Sequence, residues 1–355
     1  MQPMSARIEH QVADILAHAG ISGISGASIA VIVDDQMWSA AIGSQDLEGT
    51  IPLDKNARFP IYSITKTFIA AAIPLLVESG NLTIDQPVLE TLPEFALDPA
   101  ITLRLLLSHT AGIPDYAGMT RYAGDLIRDP ARPWTVTQFL DRSLSLGVGF
   151  APGQGWSYSN IGFLLLKLVL ERRTAMSLRA SLAHLVIDPI GLKQTEVIET
   201  LDNAVNLTPG FSSQLETDNS LRDISRRYHP GWVSHGLIAS TAADVARFFD
   251  ALLRGQLLGS ASLRLMLDPV SVPFVHRYFT KPSYGLGLML DPFSRLGPIA
   301  GHGGEGPGYS AAALHVSPSS GDGFTTVALV NQDVHDLGME IAWTMATILA
   351  ERGAR

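Results

Sequence analysis

Apolar residues recur along this chain at two different spacings. Between Ala6 and Ala19, Ile8, Val12, Ile15 and Leu16 fall every three or four positions, which predicts an amphipathic helix with Gly20 as its C-terminal cap. Ala27–Val33 is instead a short run rich in β-branched residues, and Met37–Ile42 is a second apolar run. Asp34-Asp35 between them reads as a turn, so the pair predicts a hairpin and an antiparallel sheet. Helical spacing returns at Phe68, Ile69, Ala72, Ile73 and Leu76 and ends near Gly80. Pro74 lies inside that pattern and predicts a kink or a break.

From about Asn81 to Tyr228 the signals are helical or loop-like. Helices are expected over Thr102–Ser108, Thr135–Leu144 and Ile161–Arg173, with a turn cluster at Ala151–Gly155 and loop over Asp202–Asp223. Thr241–Leu253 is an amphipathic helix with Thr241 as N-cap and Asp244 in the capping-box position. Strand patterns then resume at Tyr284–Leu290, Ser310–Val316 and Thr325–Val330, around a glycine-rich stretch from Gly297 to Gly308. A last helix covers Asp336–Glu351. Strands at both ends with helices between them predict an α+β fold: an antiparallel β-sheet flanked by terminal helices, with a mostly helical domain inserted. The expected boundaries are 1–80 and 230–355 for the discontinuous sheet domain and 81–229 for the insertion.

Composition narrows the function. A net charge of −9 with no basic cluster argues against nucleic acid as the main partner. The absence of cysteine excludes disulfides, thiol catalysis and cysteine metal sites. No run of about 18 apolar residues predicts a membrane span. The N-terminal stretch lacks a basic segment followed by an apolar core, so a cytoplasmic protein without a signal peptide is expected.

Three groups carry candidate chemistry. Ser63 and Lys66 stand three residues apart at the start of the second helix, so they share one face. A serine hydroxyl is a weak nucleophile until a base removes its proton, and a desolvated lysine can be that base. Tyr158-Ser159-Asn160 is the one Y-x-N in the chain; a tyrosine held as phenolate beside a lysine could exchange the Ser63 proton, and Asn160 could hydrogen-bond Lys66 and a substrate carbonyl. His302-Gly303-Gly304 lies among strand signals, where glycines let a substrate approach an edge closely. Taken singly, each has an ordinary reading: a capping serine with a surface lysine, a core tyrosine, and an H-x-G triplet that also occurs at His18 and His229.

In this order the three resemble the penicillin-recognising serine hydrolases: class C β-lactamases, D-Ala-D-Ala carboxypeptidases, D-aminopeptidases and related esterases, whose pattern is S-x-x-K, Y-x-N, then K/H-x-G on a strand. The segments LLLSHTAGIPDY (105–116), STAADVARF (240–248), YGLGL (284–288) and GHGGEGPGYS (301–310) are similar too. The resemblance implies that Ser63 is acylated, that Lys66 eases proton removal, and that Tyr158 is general base and acid. It further implies that Asn160 positions Lys66 and substrate, and that the amides of Ser63 and Glu305 form an oxyanion hole. His302 would take the place of the third-motif lysine. Gly303 stands where many carboxypeptidases and β-lactamases carry a hydroxyl that grips a substrate carboxylate. With Glu305 nearby, this favours esters, amides or the amino end of a D-peptide. His235 stands where relatives often have glycine, and reads either as a cleft residue or as a packed, hydrogen-bonded one; His109 reads as structural.

The expected function is therefore a serine hydrolase cleaving a small amide or ester, or a short peptide, through a covalent acyl-enzyme, without metal or cofactor. A β-lactamase or D-Ala-D-Ala carboxypeptidase is the alternative within hydrolases. An acyltransferase or a non-catalytic penicillin-binding protein is the alternative outside them. There is no G-x-S-x-G elbow, H-E-x-x-H or Walker A motif to support another chemistry.

Overall fold

The computed structural model describes residues 4–19, 25–317 and 323–353. The expected cap at Gly20 lies outside them. Strands Gly26–Val33 (β1) and Gln36–Gly43 (β2) form the hairpin. Asp34 and Asp35 both take positive φ, 50° and 59°, the turn conformation whose twist matches that of the flanking strands. Six more strands follow late in the chain: Val270–Ser271 (β3), Ser283–Tyr284 (β4), Met289–Asp291 (β5), Ile299–Gly306 (β6), Tyr309–Val316 (β7) and Phe324–Val330 (β8). Together they make one eight-stranded sheet in the order β2-β1-β8-β7-β6-β5-β4-β3. Every neighbouring pair is antiparallel. An early and a late strand of the sequence pair next to one edge of it, where Ala27 faces Val330.

Alternation along β1 explains why it reads as a continuous apolar run. Ile29 and Val31 pack with Ile8, Val12 and Leu16 of helix Met4–His18 (α1) and with Ile341 and Met345 of helix Leu337–Gly353 (α5). Ala30 and Ile32 point to the opposite face and join a second core with helices Thr65–Glu78 (α2), Asn160–Thr174 (α3) and Ala242–Leu253 (α4). Phe68 of α2 stacks on Phe248 of α4 at 3.6 Å between ring centroids. A sheet covered on both faces needs apolar residues on both. Among the described residues no helix is long and apolar enough to cross a membrane.

Several expectations need correction. Pro74 does not end α2, which runs on to Glu78. Nearly every side chain from Thr65 to Leu76 is buried, and that packing outweighs one missing backbone hydrogen bond. Tyr284–Leu290 is not one strand. It folds back on itself as β4 and β5, joined by a turn in which the Gly285 amide donates to Leu288 O at 2.8 Å. Gly287 in that turn has φ +70°, and a Cβ there would lie 2.2 Å from that of Ala70. Conversely, the glycine-rich stretch contains a full strand, β6, whose weak intrinsic preference is overridden by pairing with β5 and β7. Asp202–Asp223, expected as loop, contains a 3₁₀ turn and a short strand pair. Helices Thr120–Arg128 and Ser260–Met266 left no apolar stripe to read, since they bury only Leu126 and only Ser262 with Met266.

Candidate active site

Ser63 sits in a single 3₁₀ turn, Tyr62–Ile64, that leads into α2. The residue before it is under strain: Tyr62 has φ +41°, a region a bulky side chain rarely adopts. Three contacts hold it there. Its hydroxyl donates to Pro307 O at 2.6 Å, its ring packs against Tyr228 and Tyr309, and Gly306 leaves the space the ring occupies. Ser63, next to it, lines a cleft of about 250 Å³. Ser63, Tyr158, His302, Gly304, Glu305 and Met339 are among its walls. A larger cleft of about 380 Å³, with Arg58, Arg179 and Lys193, shares no residue with this one and holds no comparable chemistry.

Lys66 lies one turn further along the helix and is fully buried. Its ammonium or amine nitrogen is 3.0 Å from Ser63 Oγ and 2.7 Å from Asn160 Oδ1. Burial lowers its pKa well below the ordinary lysine value, partly opposed by the Asp115 carboxylate. Asn160 opens α3 behind the capping hydroxyl of Ser159. Its amide is held by Asp115, whose two carboxylate oxygens accept from Asn160 N at 2.9 Å and from Nδ2 at 3.0 Å. That leaves Oδ1, an acceptor, facing the lysine. Asp115 lies within LLLSHTAGIPDY, but its contact with Asn160 spans 45 positions and no local pattern marks it.

The half-buried Tyr158 completes the group. Lys66 Nζ stands 4.8 Å from its ring centroid. Burial raises its pKa above the usual phenol value, partly opposed by the neighbouring Ser63 hydroxyl. Burial thus works against the expected resting phenolate: it raises the tyrosine's pKa and lowers that of the lysine meant to stabilise it. His109, at φ +60°, accepts from Ser159 N at 3.2 Å and lays its ring 4.3 Å from that of Tyr158, fixing the tyrosine's place.

His302 lies on β6 and is 2% exposed. Its Nε2 meets the Tyr284 hydroxyl at 2.9 Å and its Nδ1 the Gly303 carbonyl at 2.5 Å. The carbonyl can only accept, so Nδ1 carries the hydrogen and Nε2 accepts from Tyr284. Burial pushes the imidazole's pKa down to about 3, so it is neutral at pH 7 and brings no positive charge to the cleft. Tyr284 was legible in YGLGL but only the fold shows its partner. Gly303 is half-buried, and Gly304 presses against the Ser63 turn: a Cβ on it would lie 2.2 Å from Ile61 O and 3.3 Å from Ser63 N. The exposed Glu305 side chain accepts from the Asp336 amide at 2.5 Å and meets His335 Nδ1 at 2.9 Å. Glu305, His335 and Asp336 are the one group among the described residues whose ligand-type atoms could gather round a cation.

The fold thus brings Ser63, Lys66, Tyr158 and Asn160 into mutual contact, with His302, Gly303, Gly304 and Glu305 on the strand opposite. The beta-lactamase family model matches residues 7–348. The chain belongs to the beta-lactamase family. It is 29% identical over 304 residues to penicillin-binding protein 4* of Bacillus subtilis, covering 82% of this chain and 65% of that protein. It is 26% identical over 308 residues to a D-aminopeptidase of Cereibacter sphaeroides, covering 84% of this chain and 55% of that protein. The chain thus spans less than two thirds of the length of either relative. Among solved structures, a D-stereospecific amidohydrolase from Streptomyces sp. superposes with a TM-score of 0.79 at 26% identity, over 94% of this chain and 98% of that one.

Proposed function

We propose that the protein is a serine hydrolase that cleaves a small amide or ester through an acyl-enzyme on Ser63, with D-amino-acid amides or esters favoured. The observation that carries this reading is the fully buried Lys66 amine, 3.0 Å from the hydroxyl of a serine that lines a cleft. The neutral amine takes the Ser63 proton as Oγ bonds to the substrate carbonyl carbon. The resulting oxyanion lies between the amides of Ser63 and Glu305, donors of the kind worth about 10²–10³ each in rate. Tyr158 gives its hydroxyl proton to the leaving nitrogen or oxygen as that bond breaks. The phenolate so formed is stabilised by the Lys66 ammonium over its ring and then takes a proton from the attacking water. Ser63 Oγ leaves the acid product and recovers its proton from Lys66.

Cleft chemistry supports an amine-bearing substrate. Its described walls include Glu305 and Asp336 but no lysine or arginine to grip a carboxylate. Met289, Ala311 and Met339 offer an apolar surface for a side chain. The D-aminopeptidase and the D-stereospecific amidohydrolase among the relatives point the same way. The test compares D-phenylalanine p-nitroanilide with its N-acetylated form. The free amine is expected to be the better substrate, and Glu305→Gln is expected to raise its KM about threefold to tenfold while leaving the acetylated form unchanged. A preference for the acetylated form or for a substrate with a free carboxylate would instead favour the β-lactamase or carboxypeptidase reading.

A further inference from the structure

His235 is 1% exposed and belongs to no motif the function has used. Its Nε2 lies 3.2 Å from Lys66 Nζ. The surrounding chain holds it firmly. Gly236, at φ +97°, closes a turn onto Val233 O at 2.8 Å, and the Ile238 amide donates to Thr65 Oγ1 at 3.1 Å, next to the lysine. The ring packs edge-on against Phe163.

Counting hydrogens on Nζ gives this contact a purpose. A neutral amine has two N–H groups and one lone pair. Asn160 Oδ1 takes one N–H, because Asp115 fixes the amide so that only its oxygen faces the lysine. If the second N–H pointed at Ser63, the lone pair would face away from the hydroxyl it has to deprotonate. If His235 Nε2 takes it, the lone pair is left for the Ser63 O–H. Once the amine is protonated, its three N–H groups meet three acceptors: Asn160 Oδ1, His235 Nε2 and the serine oxygen. Among the described residues Nδ1 of His235 has no hydrogen-bond partner, so no other contact there imposes the opposite tautomer.

We propose that His235 is a positioning residue for the Ser63–Lys66 pair: by accepting one Nζ hydrogen it aims the lysine lone pair at Ser63. Burial and the neighbouring Lys66 keep its own pKa well below the ordinary histidine value, which favours the neutral ring. The other titratable groups facing the pair are Asp115, Tyr158, His109, His302 and Lys167. The inference rests on the acyl-enzyme reading above.

The test compares His235→Gln, which keeps an acceptor at the end of a similar side chain, with His235→Met, which keeps the bulk and loses it. Hydrolysis of a p-nitrophenyl ester is followed from pH 4 to 9, with melting curves as a check on folding. His235→Met is expected to lower kcat about 10–100-fold with KM within about threefold, as misalignment of a reacting pair does. It is also expected to move the acid limb of kcat/KM to lower pH, because the ammonium loses a hydrogen bond that stabilised it. His235→Gln is expected to recover most of kcat and return the limb. Equal loss in both variants with an unmoved limb would make His235 a packing residue and overturn the proposal, as would an unchanged His235→Met. Intact mass in the same samples separates the two levels: wild type acylated on Ser63 leaves the outcome to His235 alone, whereas wild type neither acylated nor active overturns both.

Discussion

Lys66→Met is expected to abolish most of the activity while leaving the fold in place. Loss of a positioned base costs about 10²–10⁴-fold in kcat. Methionine matches the lysine stem in length and removes the penalty of burying an amine. It also leaves Ser63 Oγ, Asn160 Oδ1 and His235 Nε2 without a donor, which works against that gain. The melting temperature is accordingly expected to change by only a few degrees. Lys66→Arg is expected to be as inactive for a different reason: a guanidinium stays protonated and cannot accept the serine proton. The wild-type pH profile carries the same signature. Because burial lowers the Lys66 pKa, the amine is neutral above that depressed value, and kcat/KM rises through an acid limb well below the ordinary lysine range of 10.5. Stability has the same sign: the unfolded chain binds the Lys66 proton more tightly, so this group destabilises the fold as pH falls from 10.5 through its folded pKa. A Lys66→Met enzyme with wild-type kcat would remove the lysine from the chemistry.

Gly304→Ala is expected to have the second large effect, acting through the backbone. The added methyl would lie 2.2 Å from Ile61 O and 3.1 Å from Ile61 C, both main-chain atoms that cannot rotate away. Either β6 or the Ser63 turn has to move, and that separates the two amides proposed to hold the oxyanion. The expected loss in kcat is about 10²–10³-fold, the size of losing one such donor. Gly303→Ala is the control for folding. A Cβ at position 303 meets Met339 Cε at 3.6 Å, an ordinary contact, so this variant is expected to melt within about 2 °C of wild type. Full activity in Gly304→Ala would mean that close approach of β6 to Ser63 is not needed for catalysis.

Much of the site was legible because its members carry local signals. The Ser63–Lys66 spacing places both side chains on one helical face, and Tyr158-Ser159-Asn160 stands out as the one Y-x-N in the chain. What escaped the sequence depends on contacts between distant positions. Asp115 gains its purpose from Asn160, and His235 from Lys66 across 169 positions. Burial works against the expected Tyr158 phenolate, and no motif encodes burial. In the fold, the hairpin follows from two apolar runs around Asp34-Asp35, and α4 from its amphipathic spacing and Thr241 cap. The split of Tyr284–Leu290 does not, because its cause is the fit of Gly287 against Ala70 on another element.

The central claim is that Ser63 is the nucleophile. The most direct measurement is the intact mass of wild type and Ser63→Ala after brief mixing with a p-nitrophenyl ester, with turnover recorded in parallel. The account predicts one added acyl group on wild type, mapped by peptide mass to Ser63, with no adduct and no turnover above background in Ser63→Ala. Equal ester turnover by Ser63→Ala and wild type would contradict it.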